Sequence, residues 1–158
     1  MEKVNLGLSE KQRLGSAQLL NHLLSDEFIL YTKTRKYHWN VTGMQFKSLH
    51  ELFEEQYRAL EEQIDEVAER VRSLGFQSIG TLKQFTKLSR LEEHETEDDN
   101  AKAMLLSLIT DHETIVSHLR KDLEKAEQEY GDAGTADFMT SLMTTHEKTA
   151  WMLRAYLE

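Results

Sequence analysis

The chain contains no proline and only seven glycines in 158 residues. Proline breaks or kinks helices, and glycine and proline supply most of the tight turns that sandwiches and α/β folds need. A chain with so little punctuation has few places to turn and is read as a small number of long helices. The apolar residues agree. Leu20, Leu24, Phe28 and Tyr31 recur at the three- and four-residue steps of one helical face, as do Leu60, Ile64, Val67, Val71 and Leu74. Leu105, Leu108, His112, Ile115, Leu119 and Leu123 form a third stripe, and Met139, Leu142, His146, Ala150, Leu153 and Leu157 a fourth.

The helix ends are marked too. Ser9 with Gln12 has capping-box spacing, so the first helix is expected from about Ser9 to Lys36. Ser48 with Glu51 predicts a second box, opening a helix over about Leu49–Leu74 that Gly75 stops. A short helix is expected around Thr81–Lys87, a third long one over Asn100–Glu129, and a fourth from Ala136 to the end, after a turn at Tyr130–Gly134. The first and last connections are short, and the middle one, from Gly75 to about Asp99, is long. Two helical hairpins joined by one long crossover predict an all-α, ferritin-like four-helix bundle with a short extra helix in the crossover. Residues 1–158 read as one domain with a short tail, 1–8.

Charged residues make up 30 % and are spread along the chain, so no block reads as a disordered tail. There is no cysteine, which excludes disulfides and thiolate metal sites and fits a reducing cytosol. The opening residues are too polar for a signal peptide, and no apolar run approaches a membrane span. The expected location is therefore the cytoplasm, with the nucleoid as the alternative. The net charge of −9 argues against non-specific nucleic-acid binding and suits either plain solubility or a surface that handles cations.

Seven histidines offer candidate ligands: His22, His38, His50, His94, His112, His118 and His146. No acid stands three residues before any of them, which removes the Glu-x-x-His di-iron site of many four-helix bundles. His112 and His146 lie on apolar stripes and read as hydrogen-bonded core residues; His22, His94 and His118 read as surface. His50 stands apart. Glu54 follows it by one turn, and Glu61, Asp65 and Glu69 continue as a row of acids at four-residue steps. Such a row repels itself, and either a cation or a neighbouring arginine relieves it; Arg58 can pair with Glu54, and Arg70 with Glu66. Asp65 and Glu69 lie about 60° and 100° round the helix from His50, but Asp65 is about 22 Å along it. One helix cannot close a single site from both pairs. Two antiparallel copies can: a two-fold axis near Ala59 and Leu60 sets His50 opposite Glu69 and Glu54 opposite Asp65, twice per dimer. Nitrogen and carboxylate donors without thiolate suit Fe²⁺, Mn²⁺ or Zn²⁺. His50 also sits in the first turn of its helix, where the dipole favours the neutral ring a metal needs.

Tyr37-His38-Trp39-Asn40-Val41-Thr42-Gly43, then Leu49-His50-Glu51-Leu52-Phe53-Glu54-Glu55, then Asp65-Glu66-Val67-Ala68-Glu69-Arg70 resemble the signature of the Dps family, the DNA-binding proteins from starved cells or mini-ferritins. The run His146–Arg154 is similar to the family's last helix, and the likeness covers nearly the whole chain. The resemblance implies a hollow shell of twelve subunits. It implies a ferroxidase that oxidises Fe²⁺ at two-fold interfaces, with hydrogen peroxide preferred to oxygen, and stores ferric mineral, protecting DNA from oxidative damage. His38, His50 and Glu54 would come from one subunit and Asp65 and Glu69 from its mate, with zinc able to take the same site. Trp39 would be an electron donor beside the site, Glu51 and Glu55 would nucleate mineral, and Asp132 and Asp137 would line entry pores. Glu54 departs from the aspartate that many relatives carry. The short tail with one lysine and the charge of −9 imply weak or absent DNA binding. The rival reading is a DNA-compacting structural protein with an incidental zinc site.

Overall fold

The computed structural model of the protein describes residues 4–93 and 100–158. His94 and Asp99, at the end of the crossover, lie outside the described residues. Among those described there are five helices and no strands: α1 Glu10–Asn40, α2 Phe46–Ser73, α3 Leu82–Leu88, α4 Ala101–Gln128 and α5 Ala133–Arg154. α1 pairs with α2 and α4 with α5 as two hairpins, and α1 also packs on α3 and α4. None of the helices is long and apolar enough to cross a membrane.

Ser9 caps α1 as its spacing predicts: the Gln12 amide N–H donates to Ser9 Oγ and the Ser9 amide to Gln12 Oε1. The helix runs one turn beyond the expected Lys36 and ends where Val41 turns to extended backbone. The extra turn carries His38 and Trp39. Only five residues then link α1 to α2, with Gly43 at φ +104 making the bend. This tight link starts α2 at Phe46, three residues earlier than the sequence predicts. Ser48 is therefore already inside the helix, where its hydroxyl donates to the Gln45 carbonyl (3.0 Å), and the expected Ser48/Glu51 capping box does not form.

Gly75 stops α2 as expected. Its φ is +92, the Gly75 amide donates to the Arg72 carbonyl and the Phe76 amide to the Val71 carbonyl, the pairing of a Schellman motif. In the crossover, Thr81 and Gln84 form the predicted capping box of α3, and Phe85 stacks on Phe28 of α1 with ring centres 4.2 Å apart. Arg90 then clamps the crossover across two helices: it donates to buried Asp26 of α1 (2.8 Å from Nε) and to Asp122 of α4 (2.6 Å). His22 is half-buried rather than on the surface, because its Nδ1 bonds the Leu88 carbonyl at the end of α3 (3.0 Å). His118 is half-buried too; burial first, then the nearby Arg90 charge, pushes its ring below the ordinary histidine range.

The core is filled by Leu20, Leu23, Leu24 and Leu30 from α1, Leu49, Phe53 and Val67 from α2, Leu105, Leu108, Ile115 and Leu119 from α4, and Met139 and Leu153 from α5. Because α1 packs against three helices it is buried on more than one face, and this takes Asp26, Glu27, Lys33 and Thr34 inside. At the far end Tyr130 lies on α1 at Gly15, where a Cβ would come within 2.4 Å of the ring.

Candidate metal centre

The tight α1–α2 link brings the last turn of α1 beside the first turn of α2. His38 and His50, twelve residues apart in sequence, stack ring on ring at 3.8 Å and 19°. Each Nδ1 lies 2.8 Å from the other residue's backbone carbonyl. A carbonyl only accepts, so both Nδ1 atoms carry the hydrogen, and in the neutral rings both Nε2 atoms keep a lone pair. Fixing one ring nitrogen by a hydrogen bond is how proteins aim the other at a metal. Phe46 covers the His50 ring (5.2 Å), and Tyr57 meets His38 edge-on (5.3 Å).

Glu54 completes the group. One ligand atom from each of His38, His50 and Glu54 lies within 4.8 Å of the others. Arg58 donates twice to Glu54 Oε1, at 3.0 and 2.6 Å, and Oε2 accepts no hydrogen bond among the described residues. The Arg58 hydrogen bond holds the Glu54 carboxyl below the usual carboxylate range, against a desolvation effect that opposes it. The carboxylate is thus charged and oriented. Two imidazole nitrogens and one carboxylate oxygen suit Fe²⁺, Mn²⁺ or Zn²⁺, and three donors leave coordination positions open.

Asp65 and Glu69 are not brought to this group. Both are exposed on α2, Asp65 beside Tyr31, Glu61 and Ala68, and Glu69 beside Arg70, Ser73 and Phe138. Neither has a hydrogen bond or ion pair among the described residues. Arg72, one turn after Glu69, donates to the Phe76 carbonyl instead (2.9 Å). Arg70 does not pair with Glu66 as its spacing suggests; it reaches Asp132 (3.2 Å) and Thr135 on α5.

Trp39 is next to His38 in sequence but 65 % exposed, with Arg35 against its ring at 5.4 Å. Of the two aspartates expected at pores, Asp132 is buried. It caps α5 by accepting from the Thr135 amide (3.0 Å) and hydroxyl (2.6 Å). Asp137 is exposed on α5. Glu51 and Glu55 are also exposed. Sequence reasoning did not single out Tyr57, although it lies seven residues after His50 and so on the same face. It also passed over Glu27, which lies seven after Leu20 on the inward face and accepts from His146 in the core (2.7 Å).

Comparison with known proteins agrees with the fold. A family model described as a ferritin-like domain matches residues 17–158. The chain is 47 % identical over its whole length, and over 88 % of the relative's, to an uncharacterised low-temperature-induced protein of Nostoc sp. strain PCC 7120. It is 37 % identical to DNA protection during starvation protein 2 of Bacillus anthracis, across 89 % of this chain and 94 % of the relative. Among solved structures, DpsC from Streptomyces coelicolor superposes with a TM-score of 0.94 at 32 % identity, covering 99 % of this chain and 91 % of that one. The Dps protein of Vibrio cholerae, described as a member of a broad superfamily of ferritin-like diiron-carboxylate proteins, gives 0.91 at 34 % identity, covering 100 % and 98 %. By fold and by sequence, the chain belongs to the Dps family of ferritin-like proteins.

Proposed function

We propose that this protein is a ferroxidase that oxidises Fe²⁺ and stores the ferric product inside a shell of twelve copies. The observation that carries the reading is the His38–His50 pair: both Nδ1 atoms are spent on backbone carbonyls and both Nε2 atoms are left over beside the Glu54 carboxylate. Three donors make an incomplete site. Asp65 and Glu69, exposed and unpaired on the same helix, would complete it from a second copy related by a two-fold axis near Ala59 and Leu60.

Fe²⁺ is the substrate. Carboxylate oxygens are hard donors that stabilise Fe³⁺ over Fe²⁺, so Glu54, Asp65 and Glu69 lower the cost of losing an electron. Two Fe²⁺ give one electron each to hydrogen peroxide; its O–O bond breaks, two protons are taken up, and two waters leave without releasing a hydroxyl radical. Trp39 would supply a stray electron if only one iron is present. Asp137, exposed where Asp132 is buried, is the better placed of the two to meet incoming cations. With −9 on each copy the shell binds DNA weakly or not at all at physiological salt. The two-histidine, one-carboxylate set takes Zn²⁺ equally well by donor type, as an inhibitor of the same site.

The test is Asp65→Ala, a substitution on an exposed residue that leaves the fold intact. Peroxide-driven Fe²⁺ oxidation is expected to slow sharply, and a folded, assembled variant with unchanged kinetics would take Asp65 out of the site. Light scattering should give roughly 220 kDa for twelve copies of 18.4 kDa. A stable folded monomer would rule out any site shared between copies.

A further inference from the structure

Arg58 lies near the middle of α2 and turns back one helical turn to Glu54. Its Nε and Nη2 both donate to Glu54 Oε1, at 3.0 and 2.6 Å. Glu61, three residues ahead and equally within reach by spacing, is exposed and has no hydrogen bond or ion pair among the described residues. In the single chain, then, the arginine is placed on a metal-binding carboxylate while a second carboxylate beside it stays bare.

This pairing conflicts with metal binding. A guanidinium neutralises Glu54, the one anionic donor of the His38–His50–Glu54 group. A dication taken by Glu54 Oε2 then shares one carboxylate with the guanidinium, and the two positive charges repel across it. Loading the site is easier once Arg58 has another anion to go to.

A second copy brings that anion. The two-fold axis that sets Glu54 opposite Asp65 passes midway between residues 59 and 60, so it also sets Arg58 opposite Glu61 of the second copy, and the reverse. Both residues lie about 2 Å along the helix from the axis, and about 80° and 20° round from His50, inside the arc of about 100° that runs from His50 to Glu69. Glu61 borders a groove of about 620 Å³ between α1 and α2, with Phe28, Tyr31, Ile64 and Ala68 as apolar walls. The apolar stem of an arginine from the second copy covers such walls while its head reaches the glutamate at the rim. The opposed pairs bring two positive and two negative charges together at the axis.

We propose that assembly moves Arg58 from Glu54 to Glu61 of the second copy, so that closing the two-fold interface frees the Glu54 carboxylate for metal. Arg58 and Glu61 are positioning residues. The inference rests on the shared-site reading above, and it adds that the interface switches a ligand on as well as supplying Asp65 and Glu69.

Zn²⁺ titration of the assembled full-length protein, with mass checked by light scattering, tests it. Asp65→Ala should weaken zinc binding; unchanged binding there overturns the shared site and this proposal with it. Given that loss, Glu61→Gln should return Arg58 to Glu54 and weaken zinc by about tenfold or more. Arg58→Gln/Glu61→Gln, which removes the competitor, should bind as wild type does. Unchanged affinity in Glu61→Gln, or a double variant as weak as Glu61→Gln, overturns the hand-over and leaves the shared site standing. If Glu61→Gln does not assemble, Arg58→Gln is read in its place. Zinc binding as tight as wild type or tighter then supports the proposal, and a tenfold loss refutes it by showing that Arg58 serves Glu54 where it stands.

Discussion

The molecule holds two pairs of touching histidines, and they are built in opposite ways. His38 and His50 meet at the α1–α2 junction, stacked, with each ring tied to a backbone carbonyl. His112 and His146 meet in the core, tied to each other and to the buried Glu27 side chain. Backbone anchors come with the helix ends and ask nothing of neighbouring side chains. The outer pair is therefore oriented before any metal arrives and leaves two nitrogens facing a partly exposed carboxylate. Side-chain anchors exist only if the whole interior packs around them, so the inner pair is bound up with stability. One ring type keeps a nitrogen open to a ligand where the backbone holds it and becomes a structural joint where a buried carboxylate holds it.

The largest effect that separates the pairs should come from His50→Ala. Peroxide-driven Fe²⁺ oxidation is expected to fall by about a hundredfold, the upper range for damage to a metal site, while the denaturation midpoint barely moves. A large loss of stability instead would mean that the outer pair is structural as well. Glu27→Gln should do the reverse. It replaces a charge-assisted hydrogen bond with a neutral one in a fully buried place and should cost about 1.5–3 kcal/mol in urea denaturation, with oxidation kinetics at the outer site unchanged. Equal stability of the two proteins would show that the inner chain carries no charge.

A smaller effect is expected from a histidine that belongs to neither pair. His118 titrates below its ordinary value when folded because burial and the Arg90 charge disfavour the imidazolium. The unfolded chain, titrating near pH 6.5, then binds more protons below that pH, so this contribution is complete above about 6.5 and is lost as the pH falls. The thermal midpoint of wild type should drop more than that of His118→Gln between pH 7.5 and 5.5; parallel curves would place the His118 ring in water. The smallest effect belongs to Ser48→Ala. Ser48 makes no cap, so stability should shift by no more than about 0.5 kcal/mol, and the outer pair, held by backbone, should keep its kinetics. A loss of about 1 kcal/mol would restore Ser48 as a cap.

Much of the architecture can be read along the chain because it depends on local chemistry. The Ser9/Gln12 and Thr81/Gln84 boxes and the Gly75 stop form between residues a few positions apart, and the structure has them where the spacing puts them. The exceptions occur where a distant contact overrides a local signal. Ser48 loses its cap to the bend at Gly43, and α1 gains the turn that carries His38. Arg70 forsakes Glu66 for Asp132, sixty-two residues away, which also takes Asp132 out of solvent. At the site, His50 and Glu54 are one turn apart and legible from spacing alone, whereas His38 joined them only through a resemblance to known sequences.

The sequence by itself determined that the chain is helical, where most of its helices begin and end, and which acids and histidines share a face of α2, because these follow from periods of three and four residues and from the absence of proline. Only the tertiary structure decided which nitrogen of each histidine is free, that Glu27 lies inside and backs His146, and that the His38, His50 and Glu54 donors converge. Those outcomes depend on hydrogen bonds between residues up to 119 positions apart, and no local periodicity encodes a contact that exists only once the helices have packed.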